Sequence, residues 1–390
     1  MKVLYVVNST RTAGGATKSF LTLLFGMAES GIEPFVVTPD KGDLYQMLND
    51  KGIGTLAVGY RINIYPNRST LKDLVLFLPR LIARRYLEHR AVDKIADFCK
   101  KNQIDLIHTN VSVVSCGMAA AKRIGVPHVL HVREYADKDF GFRHYPSKRS
   151  YNKKILGTNT VCITREIQKY HGLENACSKV IYDGVEVDGF NGHSEFCSER
   201  FFLFAGRIEV SKDPLQVVVA YNAFRLQNPD VKVSLKLAGP ISEDAYWKQI
   251  QLYIKENHLE DCVEYIGVRG DLDNLMHDAV AIIVSSVCEG FGRCLPEAML
   301  NECLTIGRNT GGTEEQYDNG VRECGEEIGF RYHTTEELTE QMSRVALAPE
   351  HAFDKVKSNA KMVVQNLYTK EANIDGIKSF YQEILSSAKQ

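Results

Sequence analysis

Twice along its 390 residues this chain alternates short apolar runs with longer amphipathic stretches, and that pattern constrains the fold more than any other feature. In the first half the runs are 3–7, 35–38, 106–109, 128–132 and 160–163, with helical spacing at 17–30 and 90–101. In the second half they are 201–205, 233–238, 263–266, 281–285 and 304–307, separated by helical patterns at 214–227, 245–257 and 272–278. Runs this short and this continuously apolar predict strands buried on both faces, and strand–helix alternation predicts parallel βαβ units. Two such series predict an α/β protein with two doubly wound, Rossmann-like domains facing a central cleft. The expected division is 1–187 and 188–368, joined through the polar stretch 187–200. A closing segment, 369–390, carries a helical pattern over 371–387 and could pack on either domain.

Composition removes several classes of function. The 47 basic and 49 acidic residues give a net charge of -2, so no nucleic-acid partner is expected. At 44% hydrophobic residues the chain is not disordered. Its ten cysteines include no Cys-x-x-Cys pair, which disfavours a zinc site and fits a reducing compartment. No apolar run approaches the ~20 residues that span a bilayer, and Met1-Lys2 leads straight into a strand rather than a secretory signal. A cytoplasmic protein is expected.

The densest chemistry follows the run 281–285, in Cys288-Glu289-Gly290-Phe291-Gly292-Arg293-Cys294-Leu295-Pro296-Glu297. A loop there sits at a strand's carboxyl end, where open α/β sheets bind ligands. Gly290 and Gly292 permit a tight turn, and Pro296 suits the first turn of a helix whose positive end favours phosphate. Glu289 and Glu297 could then face one pocket and accept hydrogen bonds from sugar hydroxyls. The competing reading is a plain glycine turn, with one solvated Glu and one Glu on the helix dipole.

After the run 201–205, Arg207 and Lys212 share a short loop, followed by Asp213 as an N-cap and Pro214 in a first helical turn. Two fixed cations there suit a diphosphate, unless both are merely solvated. Gly14-Gly15 opens a helix after the first strand but forms neither a dinucleotide fingerprint nor a P-loop. His131, Arg133 and Glu134 emerge at a strand end, His131 as either a catalytic or a structural residue. Thr313 with Gln316 reads as a capping box. Asp271 and Asp273 could hold a divalent metal, but their place at a helix start gives both N-cap and first-turn roles.

Together these residues resemble the family 4 retaining glycosyltransferases of the GT-B fold, in glycosyltransferase group 1. The carriers are Gly14-Gly15, the strand end from His131 to Glu134, Tyr182-Asp183-Gly184-Val185, and Gly206-Arg207 with Lys212. The most specific is the Glu289-x7-Glu297 signature, followed by Thr310-Gly311-Gly312-Thr313. The resemblance implies a nucleotide-sugar donor, expected to be a UDP-sugar, on the C-terminal domain. Arg207 and Lys212 would bind its diphosphate, Glu297 the ribose and Glu289 the transferred sugar. Gly290, Phe291, Gly292 and Leu295 would line the donor site, Gly15 would approach the diphosphate, and His131 would act beside sugar and acceptor. It further implies retention, no metal and no other cofactor, and a closing helix that returns to the N-terminal domain. The acceptor would be a glycan or a lipid-linked glycan in cell-surface polysaccharide or glycoconjugate synthesis. Arg293-Cys294-Leu295-Pro296 would be one of many tolerated fillings of the variable positions, leaving these roles untouched. Another sugar-nucleotide enzyme on this fold, an epimerase or inverting transferase, stays open, as does a catalytically silent nucleotide-sugar-binding subunit.

One segment stands apart in charge. From Arg61 to Lys101, ten basic residues, including Arg68, Arg80, Arg84 and Arg85, face four acidic ones, giving +6. With the apolar run 74–78 and Leu81-Ile82, this predicts peripheral docking on an anionic membrane, aided by Arg143, Lys148, Arg149, Lys153 and Lys154. The competing reading is a solvated basic helix whose apolar side faces the core.

Overall fold

A computed structural model describes residues 1–387 apart from 13, 66–69, 142, 175, 176, 187–191 and 193. Most of the expected joint's polar residues therefore lie outside the described residues. The chain divides into two compact units, Met1–Gly184 with Lys370–Gln390, and Val185–Thr369.

Each unit is built on one parallel sheet. The first contains β1 (Lys2–Val6), β2 (Glu33–Thr38), β3 (Gly54–Ala57), β4 (Leu106–Thr109), β5 (His128–Val132), β6 (Asn159–Cys162) and β7 (Ser178–Val180). Their order is β3-β2-β1-β4-β5-β6-β7. The second contains β8 (Phe201–Ala205), β9 (Ser234–Ala238), β10 (Val263–Gly267), β11 (Ala281–Val284), β12 (Thr305–Arg308) and β13 (Phe330–Tyr332), ordered β10-β9-β8-β11-β12-β13. Helices cover both faces, so central strands such as β1, β4, β8 and β11 are buried along nearly their whole length. The direction of winding reverses between β1 and β4, and again between β8 and β11. Connections leave such a point to opposite sides and open a crevice at the strands' carboxyl ends.

In the first unit, Tyr5 of β1 and Phe20, Leu24 and Met27 of the helix Gly15–Glu29 share one core with the helix Lys370–Ser387. That helix contributes Ile374, Ile377, Phe380, Tyr381 and Ile384. The helical pattern at 90–101 is the inward half of a longer helix, Phe77–Asn102, preceded by the short helix Leu71–Val75. Ala91, Val92, Ile95, Ala96 and Cys99 are buried. The outer half is different: Leu71, Leu74, Val75, Leu78, Ile82 and Tyr86 are 55–79% exposed.

That pattern corrects two expectations. Contrary to the competing reading, these six apolar side chains do not face the core. Nor is Arg84 a docking residue, because it is buried, donating to the Ile64 carbonyl and, at 3.0 Å, to Asn63 Oδ1. Arg80 pairs with Asp73 at 2.7 Å, while Arg85 is exposed. Arg68 lies outside the described residues.

Candidate active site

In the second unit the chain leaves β8 and reaches the helix Pro214–Gln227 through a loop organised by Glu209. The Glu209 carbonyl accepts the N–H groups of Lys212 and Asp213 at 3.1 and 3.2 Å. Its carboxylate takes the Arg207 guanidinium at 2.7 Å and the Ser211 hydroxyl. Asp213 holds the N-cap position at φ 49° but makes no cap bond, against expectation. Its carboxylate instead accepts from Tyr246 Oη at 3.0 Å and pairs with Arg308 at 3.3 Å. Tertiary partners have outcompeted the local cap.

Because β8 and β11 are neighbours, their loops interlock. The Ser285 hydroxyl donates to the Lys212 carbonyl at 2.7 Å, and Val287 N–H to the Ser211 carbonyl at 3.0 Å. Lys212 Nζ then meets Glu289 Oε2 at 2.5 Å. Burial pushes the Glu289 carboxyl up, but the Lys212 ammonium outweighs it, helped by Ser286 and Arg207, and the carboxyl sits below its ordinary value. Glu289 is therefore an anchored carboxylate at neutral pH.

The glycine turns after β11 and β12 touch through their backbones. Gly312 N–H donates to the Glu289 carbonyl at 2.8 Å, and a Cβ on Gly312 would lie 2.6 Å from the Gly290 carbonyl oxygen. Gly292 has φ 79°, and a Cβ there would meet Glu289 Cγ at 2.7 Å. Both positions need glycine. Gln316 Nε2 donates to the Phe291 carbonyl, and the Phe291 ring packs on Tyr368 at 5.4 Å. Gln316 is thus committed elsewhere and the capping box does not form: the helix is Gly311–Cys324 with Thr310 at its N-cap position, so Thr313 lies inside its first turn.

Glu297 stands in the first turn of the helix Cys294–Leu300, gripped by Arg293 through Nε at 3.2 Å and a terminal nitrogen at 3.0 Å. Arg293, expected only as part of a tolerated filling, thus orients Glu297, and the i,i+4 spacing was the available signal. Leu295 is buried, and its N–H donates to the Gly292 carbonyl at 3.2 Å, closing the turn. Asp271 is held by Arg269 at 2.9 and 2.8 Å, and Asp273 accepts from Asn301 at 2.9 Å. Among the described residues, no group of three or more His, Cys, Asp or Glu could hold a metal ion.

In the first unit Gly15 begins its helix beyond the carboxyl end of β1. Val7, Asn8, Thr17, Phe20 and Asn110 line a recess at the β1/β4 crevice. His131, on β5, is wholly buried. Its Nδ1 lies 3.1 Å from His108 Nε2 and 3.4 Å from an Arg133 terminal nitrogen. His108 Nδ1 in turn meets the Tyr381 hydroxyl. Arg133 is pinned by both Asp183 oxygens at 2.5 and 2.7 Å and by Asn110 at 3.1 Å. Burial first, then the Arg133 charge, holds both histidines well below their ordinary value, so both are neutral. His131 Nε2 has no partner among the described residues. Leaving a buried polar atom so costs about 1–3 kcal/mol. Glu134 fixes the adjacent loop, accepting from Ser112 N–H at 2.9 Å, its hydroxyl at 2.7 Å and Val113 N–H at 3.2 Å. The sequence reading missed His108 and Tyr381, and nothing in their spacing announces them.

Residues 190–362 match the family model for glycosyl transferases group 1, and residues 13–188 match that for Glycosyltransferase Family 4. The chain is a group 1 glycosyltransferase. This transferase is 24% identical over 332 residues to the D-inositol 3-phosphate glycosyltransferase of Paenarthrobacter aurescens, a match covering 79% of each chain. Among solved structures it is similar to HepE of Anabaena in complex with UDP, with TM-score 0.77, 18% identity, and coverage of 98% of this chain and 100% of that one. It is also similar to a glycosyltransferase from Rickettsia africae, with TM-score 0.78, 18% identity and 98% of each chain covered. Two Rossmann-like α/β domains with these neighbours establish the GT-B fold for the transferase.

Proposed function

We propose that this glycosyltransferase moves a sugar from a UDP-sugar to a glycan or lipid-linked acceptor, with retention and without a metal, in cell-surface polysaccharide or glycoconjugate synthesis. The observation that carries the reading is the Lys212–Glu289 pair beside Arg207, at the carboxyl ends of β8 and β11. Breaking an anomeric bond puts negative charge on the leaving diphosphate and positive character on the sugar ring. Arg207 answers the first as a planar fork and Lys212 as a point charge already fixed in place. Glu289 accepts from hydroxyls of the transferred sugar, and Glu297, oriented by Arg293, from those of the ribose. Gly290, Phe291 and Gly292 offer backbone groups held rigid by the Gly312 turn. Gly15 and His131 are assigned to the diphosphate and to the sugar on the family resemblance. That HepE has been solved with UDP and with UDP-glucose supports a uridine donor.

Calorimetric titration with UDP- and GDP-sugars tests the donor. A UDP-sugar should bind and be slowly hydrolysed, with hydrolysis unchanged by EDTA. Preference for a GDP-sugar, or activity abolished by EDTA and restored by Mn²⁺, would refute the corresponding half. Tight binding with no turnover would make the chain a silent subunit.

The same reading places the enzyme on the cytoplasmic face of an anionic membrane. No helix among the described residues is long and apolar enough to cross one. The exposed row Leu71, Leu74, Val75, Leu78, Ile82 and Tyr86, with exposed Lys72, Arg85 and Arg90 nearby, suits a helix lying in the interface. The combined variant Leu78→Glu, Ile82→Glu should abolish co-sedimentation with anionic vesicles at low salt while leaving donor hydrolysis intact. Wild-type indifference to those vesicles would remove this part of the reading and leave the row to a protein partner.

A further inference from the structure

We infer that Arg133, His108 and Tyr381 are positioning residues that hold His131 in a single tautomer, with its Nε2–H presented as a donor for an oxygen of the substrate. The protons can be placed from the one member of the chain that has no choice. A guanidinium has no acceptor, so Arg133, 3.4 Å from His131 Nδ1, obliges that nitrogen to accept. His131 Nδ1 then also accepts from His108 Nε2 at 3.1 Å, which places the His108 proton on Nε2. A neutral imidazole has one proton, so His108 Nδ1 is bare and accepts from the Tyr381 hydroxyl. Without Arg133 the chain could run either way, because a tyrosine hydroxyl donates and accepts equally well. The cation gives it a direction, and Asp183 and Asn110 hold the cation still.

The remaining proton of His131 therefore sits on Nε2, a buried atom whose partner none of the described residues supplies. Each step of the chain is satisfied up to that atom. With Nδ1 occupied by its two donors and Nε2 carrying the proton, His131 offers a substrate a hydrogen bond and no lone pair, and burial with the Arg133 charge disfavours a second proton on either ring. Tyr381 enters from the helix Lys370–Ser387, 273 residues from His108 in sequence, and so ties that helix to the ring's orientation.

The functional half of this inference rests on the reading of His131 as a donor-site residue, and the experiment separates the two. Long-range ¹H–¹⁵N spectra of the substrate-free, ¹⁵N-histidine-labelled full chain should show His131 only as the Nε2–H tautomer. In His108→Leu a second His131 tautomer should appear, and kcat for donor hydrolysis should fall roughly 3- to 10-fold at unchanged KM, as expected for one neutral hydrogen bond. His108→Gln, which keeps an N–H donor, should restore the tautomer and most of kcat. Ile377→Ala, a truncation on the same helix without a hydrogen-bonding group, should lower the melting temperature and change neither readout. A wild-type His131 protonated on Nδ1 would overturn the inference. So would His108→Leu and His108→Gln behaving alike. The expected tautomers in a chain that turns over no nucleotide sugar would support the relay and sink the transferase reading of His131 instead.

Discussion

Lys212→Met is the most searching single substitution, because the pair it breaks is half-buried and central to the proposed donor site. The Lys212 and Glu289 side chains are 21% and 17% exposed, and the methionine leaves Glu289 with Ser286 and the Arg207 charge. Removing one partner of a fully buried pair costs about 3–5 kcal/mol; the residual exposure here lowers that to roughly 2–3 kcal/mol. In a unit of this size the loss corresponds to roughly 4–12 °C in melting temperature. Trp247, the chain's single tryptophan, lies in the second unit, so its fluorescence follows that unit alone. The loss should depend on pH with a definite sign. In the wild type the Glu289 carboxyl lies below its unfolded value, so its contribution is complete above that value and fades as pH falls through the depressed one. In the variant burial prevails and the carboxyl moves above its unfolded value, so stability drops as pH rises through the raised one. Wild-type and variant melting curves should therefore converge in acid and separate toward neutrality. A variant melting within about 1 °C of wild type at neutral pH, or a gap that stays open in acid, would refute the argument.

Three further substitutions probe the rest of the site. Arg207→Ala should lower donor turnover by about 10²-fold; near-normal steady-state rates would remove it from the diphosphate. Glu297→Ala should weaken UDP-sugar binding roughly 5- to 30-fold in calorimetry, with Arg293→Ala shifting affinity the same way, and unchanged affinity in both would end the ribose assignment. Gly312→Ala brings a methyl to 2.6 Å from the Gly290 carbonyl oxygen and should cost about 1–3 kcal/mol in Trp247-monitored denaturation. Wild-type stability there would show that the two glycine turns do not depend on each other.

What the sequence reveals follows from where each residue sits. Interior strands such as β1, β8 and β11 are legible because burial on both faces makes them continuous apolar runs. The three strands that escape notice, β3, β7 and β13, each lie at a sheet edge and are only three or four residues long, too short for a period to register. Glu289, Glu297, Arg207 and Lys212 are visible as residues, but the pairing of Lys212 with Glu289 is not. Lys212 and Glu289 are 77 positions apart and meet only because β8 and β11 are adjacent. Asp213 and Thr313 fail as caps for a related reason: Tyr246 and Arg308 claim the first, and an earlier helix start encloses the second. Arg84, counted among the surface cations, is drawn inward by two acceptors at 63 and 64 that no helical pattern predicts.

The helix Lys370–Ser387 has a bearing on how the protein is made. It supplies Ile374, Ile377, Phe380, Tyr381 and Ile384 to a core whose other residues were all synthesised before Gly184. A ribosome adding roughly 5–20 residues per second needs on the order of ten seconds or more to produce the intervening unit. Through that interval the nascent first unit carries an open apolar seat on β1 and the helix Gly15–Glu29, whereas the second unit waits for no residue outside its own stretch to complete its core. Chaperones that cover apolar surface during synthesis therefore have their natural target in the amino-terminal unit, which is begun first and finished last.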